Sequence, residues 1–149
     1  LGSLYLSLGD NENAREAYLR VNELLPDNAA TLNNLAWLYI ETSPEEAVKF
    51  GAKASDLAPD SPNIKDTYAM ALRAAGVYGN ARKTIDKAEE AAPANTVFRN
   101  HRAQILDALG EYDVALEDLD FILQPGNEFE ERGSAAALQN AILLKVDKQ

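Results

Sequence analysis

PNIKDTYAMALRAAGVYGNARKTIDKAEEAAPAN, residues 62–95, holds one complete copy of a unit that recurs along the chain. Within it a small residue, Ala69, sits among larger neighbours. Gly76 breaks the first apolar run, Ala81 lies in the second, and Pro93 closes it. Reading outward, Ala14, Ala47, Ala81 and Ala115 recur at intervals of 33, 34 and 34 residues, and Pro26, Pro59 and Pro93 at 33 and 34. A fixed period of this size marks one supersecondary unit copied several times, each copy unable to bury its apolar face until a neighbour stacks on it. The predicted fold is all-α: a right-handed α-solenoid of antiparallel helix hairpins closed by a C-terminal capping helix. Such a stack presents an extended surface in place of a single deep cleft, so binding precedes catalysis as a functional hypothesis.

Composition agrees. The 149 residues are 46% hydrophobic, enough for a core, and Gly and Pro fall mostly between apolar helical runs. A formal charge of −10 argues against nucleic acid or an anionic bilayer as partner, because both require clustered Lys and Arg. The sequence lacks cysteine and so disulfides and thiolate metal sites. No apolar run approaches the length of a membrane span, so no direct insertion of this segment is expected.

Each unit has the same internal grammar. The first helix carries a small residue (Gly2, Ala36, Ala69, Ala103) where helices approach closely, and Gly9, Gly76 and Gly110 mark the turn that follows. The second unit is one residue shorter there and uses Ser43-Pro44-Glu45-Glu46, which reads as a capping box with proline at the first helical position. The second helix carries Ala14, Ala47, Ala81 or Ala115, followed two turns later on the same face by Val21, Ala54, Ala88 or Ile122. Asn28, Ser61 and Asn95 are placed as caps of the next helices. The boundaries that follow are a truncated unit at 1–28, units at 29–61 and 62–95, a degenerate last unit at 96–126 and a capping segment at 127–149, all in one domain. Asn127 and Glu130 read as a capping box for that segment, whose apolar positions are Ala135, Leu138, Ile142 and Val146. Leu143 and Leu144 offer a means of self-association or pack under the final hairpin. The first unit has no counterpart of residues 29–34, so the sequence reads as starting in mid-helix, as a fragment of a longer protein.

The spacing Leu32-x2-Leu35-Ala36-x2-Tyr39, the pairs Ala14-x3-Tyr18 and Ala81-x3-Ile85, and the closing prolines resemble the tetratricopeptide repeat from Leu1 to about Leu123. Departures are Gly51, where a large residue is expected and Phe50 partly substitutes, and Arg102, where Leu35 and Tyr68 stand in sister units. Both are expected to weaken local packing. The wording Leu32-Asn33-Asn34-Leu35-Ala36-Trp37, Ile64-Lys65-Asp66-Thr67 and the Phe129-Glu130-Glu131 tail is also similar to the C-terminal repeats of bacterial proteins linked to exopolysaccharide export and PEP-CTERM systems. That resemblance implies an envelope-associated, periplasmic setting and an assembly role in export.

In tetratricopeptide arrays the first helices line a concave groove. Carried over, the resemblance implies a partner-binding set of Asn33, Asn34, Trp37 and Glu41 with Ile40, then Asp66, Thr67, Met70 and Arg73, then Asn100, His101 and Gln104 with Asp107. The row Asn33, Asp66, Asn100 has the chemistry to pair with the backbone of an extended peptide, or simply to keep a helix face solvated. Trp37 and Met70, one repeat apart, read either as apolar anchors or as core. Were they anchors, replacing both by Ala would weaken partner capture and leave melting unchanged. The family's carboxylate clamp for chaperone C-termini is not matched, because its lysines are missing. The run from Asp107 to Glu131 contains no Lys or Arg and reads as an acidic, solvated lobe.

Enzymatic constellations are thin. His101 is the lone histidine, and neither a Gly-rich phosphate loop nor a His-x-x-x-His pair occurs. The expectation is a non-catalytic protein-interaction scaffold without cofactor or metal, with a protein or peptide partner. A recruiting or regulatory arm of a larger enzyme is the reading from another class.

Overall fold

The computed structural model describes residues 1–147 and is helical throughout; the last two residues of the segment assigned to the C-terminal cap lie outside the described residues. In order the helices are α1 (Gly2–Ser7), α2 (Asn11–Leu24), α3 (Ala29–Tyr39), α4 (Pro44–Leu57), α5 (Pro62–Ala74), α6 (Tyr78–Ala91), α7 (Thr96–Leu109), α8 (Tyr112–Ile122) and α9 (Arg132–Val146). They pair as hairpins α1/α2, α3/α4, α5/α6 and α7/α8. Each hairpin packs on the next through α2 and α3, α4 and α5, and α6 and α7, while α9 covers α8 and touches α7. The result is an α-solenoid. Among the described residues no helix is long and apolar enough to cross a membrane.

Local chemistry sets the helix ends. The Asn28 side chain accepts from the Thr31 N–H at 2.9 Å, Asn95 accepts from Val97 and Phe98 at 2.9 and 3.1 Å, and Ser61 reaches Ile64 at 3.5 Å. Asp10 caps α2 in the same way, through the Asn13 N–H at 3.2 Å. Each such cap stabilises its helix by about 1 kcal/mol. At the turns inside the hairpins Gly9, Gly76 and Gly110 have φ of 72°, 76° and 74°, and the next amide returns to the helix: Asp10 to Tyr5, Val77 to Leu72 and Glu111 to Leu106, at 2.9, 2.8 and 2.9 Å. That six-to-one bond defines a Schellman ending, which a left-handed residue permits. The second hairpin, whose turn has no glycine, closes through the Ser43 amide on the Tyr39 carbonyl at 2.8 Å.

Two expected capping boxes are corrected. Ser43 makes no side-chain cap bond, although Pro44 does sit in the first turn; Glu46 reaches forward to Lys49 at 2.5 Å instead of back. Asn127 and Glu130 do not box α9, which begins only at Arg132. Asn127 donates to the Phe121 carbonyl at 2.9 Å, and the Arg132 guanidinium donates to the carbonyls of Ile122, Leu123 and Asn127 at 3.2, 2.6 and 2.7 Å. Arg132 thus satisfies free carbonyls at the end of α8, which would otherwise lack partners.

Small residues let the helices meet. Ala14, Ala36, Ala47, Ala69, Ala81, Ala103 and Ala115 are all completely buried. A Cβ placed on Gly2 would lie 2.8 Å from the Tyr18 ring, and one on Gly51 would lie 3.0 Å from the ring of Tyr68. The predicted weak spot at Gly51 is therefore a seat for Tyr68, and neighbouring Phe50 stacks on Tyr39 with ring centroids 5.7 Å apart. Ala54, Ala88 and Ile122 are fully buried, whereas Val21 is 37% exposed. The reason is length: α1 has only 6 residues and does not run alongside the C-terminal half of α2. On α9, Ala135 and Ile142 are buried and Val146 is exposed; Leu143 and Leu144 face outward, not under the final hairpin.

The acidic run is not one solvated lobe. Asp118 is fully buried and is held by Arg99 and Arg102 of α7, Asp107 pairs with Lys145 at 2.5 Å, and Glu111 pairs with Arg82. The cations that neutralise this stretch lie elsewhere in the sequence and are delivered by hairpin stacking. Arg102, expected as a packing defect, is the centre of that arrangement.

Candidate binding groove

Along the first helices Trp37, Met70 and Gln104 succeed one another at the repeat interval, as do Asn34, Thr67 and His101. Because α3, α5 and α7 touch side by side, residues at one register form a row across the array. The row of Trp37, Met70 and Gln104 opens into a cavity of about 550 Å³, whose walls come from α2, α3, α5, α7 and the segment before α9.

Of the sequence-predicted set, Trp37, Glu41, Met70, Arg73, His101 and Gln104 line this cavity together, as does Ile40. Trp37 is 48% exposed and forms an apolar wall, whereas Met70 is only 8% exposed and belongs to the core formed with Ile85 and Phe98. Met70 is the floor of the groove. Asn33 and Asn34 are half-buried and lie outside the cavity lining.

The polar rows lie beneath the surface. Asp66, Thr67 and Asn100 are buried, as is His101. Asp66 Oδ1 is 2.7 Å from His101 Nδ1, which ties α5 to α7. Thr67 Oγ1 donates to the Asn63 carbonyl of its own helix at 3.2 Å. Asn100 Nδ2 donates to Glu131 at 2.5 Å, and His101 Nε2 stands 3.8 Å from the same carboxylate. The expected ladder of free donors and acceptors is corrected on this point: close packing of neighbouring first helices turns Asp66 and Asn100 inward, onto partners from α7 and from the α9 entry segment. Bonding of this kind offsets the cost of burying polar side chains, although Asn100 Oδ1 is buried without a hydrogen-bond partner.

Arg15, Asn11 and Thr42 also line the cavity, together with Glu131, and sequence reasoning did not include them. Arg15 lies on the second helix of its hairpin, outside the first-helix rule, with its guanidinium 5.6 Å from the centroid of the Tyr39 ring. Its position directly after Ala14, a contact point in every unit, was the available signal. Nothing in the spacing could place Glu131, because the loop that carries it breaks the repeat.

With this geometry in view the class is defined: a stack of helical hairpins with a groove across its first helices. The tetratricopeptide-repeat family model matches residues 1–28, and solved tetratricopeptide-repeat structures superpose on nearly all of the chain. The chain has the fold of the tetratricopeptide-repeat α-solenoids, and its first 28 residues match that family's model. A thermophilic TPR protein of Thermus thermophilus aligns with a TM-score of 0.78 at 18% identity, covering 97% of this chain and 79% of that one. YrrB, a TPR protein described as having an unusual peptide-binding site, aligns at 0.73 and 17% identity over 99% of this chain and 75% of its own. The TPR2B domain of yeast Sti1, solved as a complex with pHsp70, aligns at 0.70 and 21% identity over 78% and 97%. No curated protein matches the chain by sequence.

Proposed function

We propose that the chain is a non-catalytic interaction scaffold that holds a peptide or protein partner in the groove across α3, α5 and α7. The observation that carries this reading is Trp37, a large aromatic 48% exposed on the wall of a cavity floored by Met70. An amphipathic ring left open beside polar groups is the usual anchor of an interface, because it buries much area at little entropic cost. Glu41, Arg73 and Gln104 surround it with hydrogen-bonding groups that orient an occupant. The similar folds of YrrB and of Sti1 TPR2B, described with an unusual peptide-binding site and in complex with pHsp70 respectively, support a peptide- or protein-binding role.

The test is site-resolved capture. A photo-crosslinking residue placed at Gln104 is expected to trap a partner that the same residue at exposed Lys87 on α6 does not trap. The purified partner is then expected to bind Trp37→Ala about tenfold or more weakly. Equal capture from both positions, or unchanged affinity for Trp37→Ala, would overturn the proposal.

A further inference from the structure

We infer that the groove is specific for a peptide bearing an acidic side chain beside an apolar one, with Arg15 and Arg73 receiving the carboxylate and Trp37 the apolar neighbour. The inference rests on the reading of the groove as a peptide site and names the chemistry of its occupant.

Outside the groove, every arginine is engaged within the chain: Arg20 with Glu16, Arg82 with Asp86 and Glu111, Arg99 and Arg102 with Glu89 and Asp118, and Arg132 with the carbonyls that end α8. Arg15 and Arg73 make no ion pair among the described residues, and both line the same cavity. Arg73 Nε is buried there without a hydrogen-bond partner. Glu41 and Glu131 share this lining, yet neither pairs with Arg15 or Arg73, so two guanidinium groups stand in one concavity without an ion-pair partner among the described residues. A guanidinium presents a fork that matches a carboxylate, and the pairing strengthens when water is excluded. The groove already accepts one carboxylate: Glu131 lies on Asn100 and beside His101 at the far end. Glu41 and Glu131, also in the lining, oppose a doubly charged phosphate more than a singly charged carboxylate.

This constellation differs from the lysine-based clamp for chain termini, because Arg15 comes from the second helix of a hairpin and neither group needs a terminal carboxylate. The prediction is therefore for an internal Asp or Glu.

The experiment uses an array of peptides with acetylated and amidated ends, an aromatic residue fixed and its neighbours varied, each with Glu, Gln or phosphoserine at the variable position. Wild-type protein is expected to favour Glu over Gln by about tenfold. Arg15→Gln and Arg73→Gln are each expected to bring Glu peptides to the level of the Gln peptides while melting as wild type does. The inference is overturned by equal Glu and Gln binding, by a preference for phosphoserine, by dependence on an unblocked C-terminus, or by an unchanged Glu preference in both arginine variants. Trp37→Ala separates the two readings. If it weakens all peptides while Glu and Gln are equal, the acidic occupant falls and the groove stands; if no peptide responds to Trp37→Ala, or none binds, both fall.

Discussion

Arg102 grips Asp118 by both carboxylate oxygens, with Nε 2.7 Å from Oδ2 and Nη2 2.7 Å from Oδ1. Arg99 Nη1 adds a third contact at 2.8 Å, and Glu89 of α6 draws in the other side of both arginines at 2.9 and 3.1 Å. The bond to Asp118 raises the Arg102 pKa further above its already high value, outweighing the opposing effect of burial. In the second hairpin the equivalent positions are Leu35 and Phe50, which pack in one apolar cluster. The last hairpin thus replaces an apolar contact with a paired charge, locking α6, α7 and α8 together through directional bonds. Compared with an apolar pair of similar volume, such a pair adds little net stability, yet breaking it is costly because the remaining charge is stranded.

Asp118→Asn is expected to destabilise the protein by about 3 kcal/mol. Arg102→Leu combined with Asp118→Phe, which copies the second hairpin, should recover much of that loss. Urea denaturation of the single and double variants checks both values, and a double variant no better than Asp118→Asn would contradict the account.

Trp37 and Met70 should separate cleanly. Met70→Ala removes a core side chain and is expected to cost about 2–5 kcal/mol, while Trp37→Ala, at an exposed position, should change stability by about 0.5 kcal/mol or less. This corrects the expectation that replacing both would leave melting unchanged. Thermal unfolding followed by circular dichroism reads the difference.

Ala81→Leu forces a large side chain into the completely buried contact between α5 and α6, where dense packing leaves no room. The expected penalty is about 1–3 kcal/mol, measured by chemical denaturation, with exposed Ala91→Leu as a control that should be nearly neutral.

Gly76→Ala introduces a side chain at φ 76°, where nothing lies within 4 Å of the new Cβ. The cost is purely conformational, about 1 kcal/mol, and Gly76→Asn should cost less because asparagine tolerates the left-handed region. A Gly76→Ala variant as stable as wild type would show that the turn relaxes.

Arg132→Ala removes the donor that joins α9 to the carbonyl end of α8. Because stability in a linear array is local, hydrogen exchange is expected to accelerate in α9 and the end of α8, leaving α3 to α6 protected. Uniform acceleration along the chain would refute this assignment.

Much of the architecture was legible because its physics is local and repeated. Ala69, Ala81 and their equivalents mark contacts that tolerate only a methyl group, Gly76 and Gly110 mark turns that need positive φ, and Asn28 and Asn95 mark helix starts. The groove was legible only in part, because helix periodicity places Trp37, Met70 and Arg73 on one face of the array without saying how deep each lies. Asp66 and Asn100 have the residue type of a solvated face, and only the approach of α5 to α7 and of the α9 entry loop buries them.

The hairpin array, its small-residue contacts and its left-handed turns are written in the residues, since each follows from steric limits within a few residues or from an interval repeated along the chain. Tertiary structure alone decided that Asp118 is buried between two arginines, that Arg132 fastens the last helix, and that Arg15 and Arg73 face one cavity without carboxylate partners. Charge pairing over long sequence separations depends on distance in space, and that distance exists only once the hairpins have stacked.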